Sequence, residues 1–238
     1  MNGFESFGLL HAVTIAALAA AIAIMCLVGR RLHGTSAGRG YELMLSFLLA
    51  ALWVGYQVYD ALTTGFDIRS ILPLQLCDIS AVIAALVLAY PGRTLHALAW
   101  FWGLGLSSQA VFTPDLAGGP GTLSFWAFWL YHLFVIGAGI YVVVVRRFRP
   151  RWEDLRLALL AGLAYAVVVF AIDATFDLNY GYLGRSNPGQ PTILDLLGPW
   201  PLRVVYMALL GSAAMTLLWL PWALAARATR SAPRLERS

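Results

Sequence analysis

Seven apolar segments dominate the chain: 9–29, 41–60, 73–90, 94–113, 125–145, 155–174 and 202–226. Each holds roughly the 20 residues an α-helix needs to cross a hydrocarbon core about 30 Å thick at about 1.5 Å per residue. Segment 73–90 is the shortest. In hydrocarbon the backbone N–H and C=O groups find no water, so such segments satisfy them internally as helices. The composition agrees, with 60% hydrophobic and 12% charged residues. An ordinary soluble domain is about 45–50% apolar and about 25% charged. A globule of 238 residues has no means of hiding this much apolar surface from water. The chain therefore reads as all-α: a polytopic membrane bundle of seven transmembrane helices, one domain over residues 1–238, with no room for a separate soluble domain.

All 16 basic residues are arginine. The side holding the 30–40, 91–93 and 146–154 connections and the C-terminal tail carries Arg30, Arg31, Arg39, Arg93, Arg146, Arg147, Arg149, Arg151, Arg156, Arg227, Arg230, Arg234 and Arg237. The other side carries only Arg69, Arg185 and Arg203. Basic loops stay in the cytoplasm, so the split predicts an N-terminus outside, a cytoplasmic C-terminus and an odd number of spans. Segment 9–29 has no basic residue before it and Arg30-Arg31 after it, the wrong polarity for a cleaved signal peptide. It is expected to stay as the first helix. Exclusive use of arginine points to a GC-rich bacterial genome, hence to a multi-pass protein of a bacterial inner membrane. The absence of lysine excludes Schiff-base chemistry, including retinal binding, despite the helix count.

The one long connection, 175–201, is rich in Gly and Pro, among them Gly181, Pro188, Pro191, Gly198 and Pro201. It also holds tyrosines, Trp200 and an apolar stretch, Ile193 to Leu197. A free linker lacks such content, so the loop is expected to form an ordered cap, with Tyr180, Tyr182, Asp195 and Trp200 packed over the outer mouth of the bundle. Cys26 falls near the inner end of the first helix and Cys77 near the outer end of the third. A disulfide needs Cα atoms within about 7 Å, so both are expected to be free thiols.

The polar residues inside the spans gather at one depth. In the predicted topology the outer third receives Tyr56, Gln57 and Asp60 from helix 2, and Gln75, Cys77, Asp78 and Ser80 from helix 3. Helix 4 adds Ser107, Ser108 and Gln109, helix 5 adds His132, and helix 6 ends with Asp173 and Asp177. The inner half is nearly pure Ala, Leu, Val and Ile. Ionisable groups in a membrane are costly unless paired or hydrated, and their clustering implies a shared water-accessible cavity opening outward. Structural readings stand beside this one. A cysteine in a helix is often a small hydrophobe, and Asp60 and Asp78 suit helix ends at the headgroup level. His11, His33 and His96 read as solvated or interfacial. The pairs Gly103/Gly105 and Gly137/Gly139 read as sites of close helix packing.

Three motifs together carry a resemblance. They are Leu72-Pro73-Leu74-Gln75-Leu76-Cys77, His132 within Trp129-Leu130-Tyr131-His132, and Asn179-Tyr180-Gly181-Tyr182-Leu183 followed by Leu194-Asp195-Leu196-Leu197-Gly198-Pro199-Trp200-Pro201. The chain resembles the family of transmembrane protein 164 and its bacterial YwaF-like relatives, over helices 2 to 7. The resemblance implies a membrane-embedded acyltransferase acting on phospholipid acyl chains, with Cys77 as nucleophile and His132 as base. The family pattern has a lysine before the proline of the long loop. Here Asn187 precedes Pro188, which leaves Arg185 to supply a positive charge for a headgroup.

The residues themselves allow that chemistry. A thiol becomes a good nucleophile once an imidazole takes its proton, and the start of a helix favours the thiolate. Cys77 and His132 both lie roughly 7–10 Å below the outer boundary, the level of a phospholipid ester. Gln75, Gln109 or Asn179 are candidate oxyanion donors, and Asp78 or Asp173 candidate partners of the imidazole. The competing reading is a non-catalytic seven-helix carrier or receptor that binds a small polar or lipid ligand in the same cavity. A metal site needs at least three ligands at one depth, and a single intramembrane histidine makes one unexpected. No cofactor and no nucleic-acid partner is expected; membrane phospholipids are.

Overall fold

The computed structural model describes residues 4–69, 71–114, 116, 118–186, 189 and 192–231. Asn187, Pro188, Pro191, Arg234 and Arg237 lie outside the described residues. Among those described the chain is all-helical. In order come α1 (Leu9–Leu32), α2 (Ser36–Thr64), α3 (Leu76–Ala89), α4 (Arg93–Gly105), a single turn α5 (Gln109–Phe112), α6 (Leu123–Val144), α7 (Trp152–Phe176) and α8 (Leu202–Ser231). Two 3₁₀ turns, Tyr180–Tyr182 and Ile193–Leu197, lie between α7 and α8.

Five helices, α1, α2, α6, α7 and α8, are long and apolar enough to cross a membrane. The other two long segments fall short. α3 has 14 residues and α4 has 13, or about 20 Å each. The expected spans 73–90 and 94–113 are therefore too long. The residue before a proline is pushed out of the helical region, so Leu72-Pro73 stays non-helical and α3 waits for Gln75 as its N-cap, at φ −63° and ψ 143°. α4 stops at Gly105. Beyond it the Ser107 N–H reaches back to the Trp102 carbonyl (2.8 Å) and the Ser108 hydroxyl bonds the Leu104 carbonyl. Serine side chains compete with the helical ladder in this way.

α4 and α6 form the centre of the bundle. α6 packs on α1, α2, α3 and α4, while α4 packs on α3, α6, α7 and α8. Small residues let the two backbones approach, as the glycine pairs led us to expect. A Cβ on Gly103 would lie 2.9 Å from the Val135 carbonyl oxygen, and one on Gly139 would lie 2.7 Å from that of Ala99. Backbone atoms have little freedom to yield, so neither position admits a side chain.

α3 sits between α2, α4 and α6, and both of its ends are tied. At its C-terminus Arg146 donates to the Leu88 carbonyl (3.1 Å) and to that of Val87, and Arg39 donates to Leu88 (3.1 Å) and Ala89. Arg146 is itself held by Glu42 at 2.8 Å, and the Tyr141 hydroxyl donates to the same carboxylate at 3.2 Å. Cations at a helix C-terminus satisfy the orphan carbonyls and complement the dipole. Cys26 and Cys77 are both free thiols. His11 departs from its expected solvated setting. It is 2% exposed, its Nδ1 accepts from the Phe7 N–H (2.9 Å) and its Nε2 donates to the Val111 carbonyl (2.8 Å). The α5 turn and the segment before α1 fold over it, which a helix inventory does not reveal. His96 is half-buried against Phe148 and Arg146, while His33 is exposed.

Arg146→Met leaves the largely buried Glu42 with only its longer contact to Arg39 (3.7 Å), and breaking a fully buried pair costs about 3–5 kcal/mol. The thermal unfolding midpoint in detergent is expected to fall sharply. It is expected to recover in part when Glu42→Gln is added.

Candidate functional site at the start of α3

Cys77 stands one residue into α3, where the first backbone N–H groups of a helix have no intrahelical acceptor and the dipole is positive. It is half-buried. From α6, His132 places Nε2 3.5 Å from the Cys77 sulfur. The other ring nitrogen, Nδ1, lies 2.8 Å from the Phe128 carbonyl, one turn earlier on the same helix. A carbonyl only accepts, so Nδ1 carries the proton and Nε2 turns its lone pair toward the thiol. The imidazole is 3% exposed and packs against the Phe128 ring, with centroids 4.3 Å apart. Nearby, the Ser107 hydroxyl at the end of α4 donates to the Ser80 hydroxyl of α3 at 2.9 Å.

The two aspartates proposed as partners of the imidazole do not hold it; the Phe128 carbonyl does. Asp78 Oδ1 accepts from Trp53 Nε1 (2.9 Å) and the Tyr131 hydroxyl (3.3 Å), and Oδ2 accepts from the Gln75 N–H (3.2 Å). Asp173 is 2% exposed and accepts from the Tyr180 N–H at 3.0 Å. The candidate oxyanion donors are likewise placed elsewhere. Gln109 is exposed, because the chain turns after Gly105 and carries it off the expected helix face. Asn179 Oδ1 faces the Arg203 guanidinium at 3.5 Å. Gln75 Oε1 accepts from the Gly181 N–H at 2.8 Å, so it joins the loop to α3. Gln57 and Asp60 follow Trp53 on one face of α2, one and two turns beyond the Trp53–Asp78 bond.

The 175–201 loop is ordered where it is described, and it closes over the segment leading into α3. Tyr180 is fully buried; its hydroxyl accepts from the Leu72 N–H (3.0 Å) and donates to the Ile68 carbonyl (2.5 Å). Gly181 has φ 59°, and a Cβ there would stand 2.5 Å from the Tyr165 hydroxyl, which itself bonds the Leu74 carbonyl at 2.8 Å. Conformation and space both demand glycine. Trp200 donates to the Leu183 carbonyl (3.0 Å), stacks on Phe170 (5.6 Å) and carries the Arg185 guanidinium over its ring at 5.2 Å. Arg203, 1% exposed, bonds the Tyr182 carbonyl (3.2 Å), the Gly184 carbonyl (2.6 Å), Ser186 and Asp195. The sequence reading passed over Arg203 as a charge to be counted. The missed signal was its position: an arginine in the first turn of an apolar helix on the arginine-poor side calls for a dedicated acceptor set. Trp53 and Tyr131 were also missed, although a buried Tyr or Trp normally finds a polar partner.

Among the described residues no group of three or more His, Cys, Asp or Glu side chains is placed to hold a metal ion. The TMEM164 family profile matches residues 6–219. The chain belongs to that family. No curated protein and no solved structure matches it. With five long apolar helices, this TMEM164-family chain is a multi-pass membrane protein.

The Ser186 hydroxyl, the Thr192 N–H and the nearby Arg203 charge hold the Asp195 carboxyl below its usual range. A carboxylate with a depressed folded pKa stabilises the cap above its unfolded value, near pH 4, and loses that contribution as pH falls through the folded value. Amide exchange of Tyr180 to Gly184, corrected for its intrinsic rate, is expected to quicken on acidification. Asp195→Asn is expected to reproduce that loosening at neutral pH.

Proposed function

We propose that this protein is a membrane-embedded acyltransferase that moves a phospholipid acyl chain through a thioester on Cys77. One observation carries the reading: His132 presents an unprotonated Nε2 to the Cys77 sulfur because the Phe128 carbonyl holds the proton on Nδ1. A half-buried thiol beside such an imidazole is an activated nucleophile.

The steps balance without a cofactor. Nε2 takes the thiol proton and the sulfur attacks the ester carbonyl of the donor lipid. Collapse of the tetrahedral intermediate breaks the C–O bond, and the imidazolium returns its proton to the lysolipid alkoxide. An acceptor hydroxyl, from a lysolipid or water, then gives its proton to Nε2 and attacks the thioester. The C–S bond breaks and the thiolate takes the proton back. The free N–H groups at the start of α3 point to where the oxyanion develops. Arg185, held over the Trp200 ring of the cap, is the cation offered to a headgroup phosphate.

In this reading α1, α2, α3, α4, α6, α7 and α8 all cross the membrane, with the short α3 and α4 completed by the segments that flank them. The N-terminus and the 175–201 loop face outside a cell membrane, and the C-terminus faces the cytoplasm. The distribution of the 16 arginines supports that orientation. Reporter fusions at the C-terminal tail are expected to be active only in the cytoplasm; activity confined to the outside would reverse the topology.

Cys77→Ala and Cys77→Ser, purified and folded, are expected to lose transfer from a labelled phospholipid. His132→Gln is expected to lower it by about a hundredfold or more, and combining it with Cys77→Ser should add little, since the two act as one unit. Near-normal transfer by Cys77→Ala ends the covalent mechanism and leaves the carrier or receptor reading.

A further inference from the structure

Beside the Cys77–His132 contact runs a second one between the neighbouring residues. Asp78 follows Cys77 on α3, Tyr131 precedes His132 on α6, and the Tyr131 hydroxyl donates to Asp78 Oδ1 at 3.3 Å. The same oxygen accepts from Trp53 of α2 at 2.9 Å. Oδ2 turns the other way, to the Gln75 N–H at the N-cap of α3 (3.2 Å). One carboxylate thus joins three helices and caps one of them. The Tyr131 ring also meets the imidazole edge-on, with centroids 5.5 Å apart.

We propose that Asp78 and Tyr131 are positioning residues that hold the Cys77 sulfur within proton-transfer reach of His132. The inference rests on the Cys77–His132 reading and extends it. Among the described residues no disulfide and no backbone hydrogen bond ties α3 to α6 at this level. The sulfur-to-nitrogen separation of 3.5 Å is an ordinary one for a hydrogen bond that involves sulfur. A shift of about 1 Å between α3 and α6 would uncouple the pair, and misplacements of that size are enough to cost large rate factors. The Asp78–Tyr131 bond sits one residue away on both helices, where it resists that shift most directly. The division of labour between the two oxygens makes the role separable. Oδ1 holds the other helices and Oδ2 holds the cap. An asparagine that keeps its carbonyl at Oδ1 retains the first and loses the second.

The test is the dependence of Cys77 alkylation on His132. The full-length chain in lipid nanodiscs, with Cys26→Ala to remove the other thiol, is treated with iodoacetamide at pH 7. In each background the rate is compared with and without His132→Gln. The ratio cancels effects of a variant on folding, access or local charge, as a double-mutant cycle does. With Asp78 and Tyr131 intact the ratio is expected to be about tenfold or more. It is expected to fall to about one with Tyr131→Phe and with Asp78→Ala, and to persist with Asp78→Asn. A tenfold ratio that survives Tyr131→Phe and Asp78→Ala overturns the positioning role. So does a ratio lost with Asp78→Asn but kept with Tyr131→Phe, which makes the cap the whole of the effect. Where Asp78→Ala fails to fold, Tyr131→Phe decides alone. A ratio near one in the parent chain is a different failure, that of the Cys77–His132 pair itself.

Discussion

A short helix packed between others must find partners for its free N–H and C=O groups inside the protein. α3 is that helix, with 14 residues between α2, α4 and α6. Its C-terminal carbonyls are taken by Arg39 and Arg146, one of which is anchored to Glu42. At its N-terminus Asp78 turns back to the Gln75 N–H while the following segment of the cap reaches Gln75 from outside. Most of the named polar side chains serve this need. Cys77 stands where the positive dipole end of α3 and the imidazole of His132 meet.

The cap follows from the same need. The stretch before α3 is non-helical because of Pro73, so its backbone must bond to something other than itself. Tyr180 and Tyr165 serve Ile68, Leu72 and Leu74, and Gly181 lets the loop come close enough to do so. Arg203 in turn fixes the loop from α8 by bonding its carbonyls and Asp195. Loop, α3 and α8 thus form one connected polar layer above an apolar bundle. Its members are joined to the start of α3, where Cys77 stands, through a short chain of hydrogen bonds.

Much of this was legible in the sequence. Hydropathy alone located seven segments, because bilayer-type burial leaves a run of about 20 apolar residues in no other state. Their ends were less legible. The helical stretch 94–113 read as unbroken, since Ser107 and Ser108 look innocuous until their hydroxyls compete for carbonyls. Cys77 and His132 were legible as a pair, through the family resemblance and their shared depth, and they do meet; the partner of the imidazole was missed because a backbone carbonyl such as that of Phe128 has no signature in a sequence. Gln109, Asn179 and Asp173 were grouped with the site by depth. Depth fixes one coordinate only, and the other two placed them on the surface or in the cap.

What the sequence by itself determined is the solvent, the helical state and the level at which polar groups gather. All three follow from the free energy of placing a side chain or a peptide group in hydrocarbon, which depends on composition over a stretch of chain. What only the tertiary structure decided is which of those groups meet. The rotation of α6 that aims His132 at Cys77, the tautomer set by Phe128 and the bond from Tyr131 to Asp78 depend on how ridges and glycines on α3, α4 and α6 pack against one another. Packing of that kind is a property of contacts between distant segments, and no local pattern in the chain encodes it.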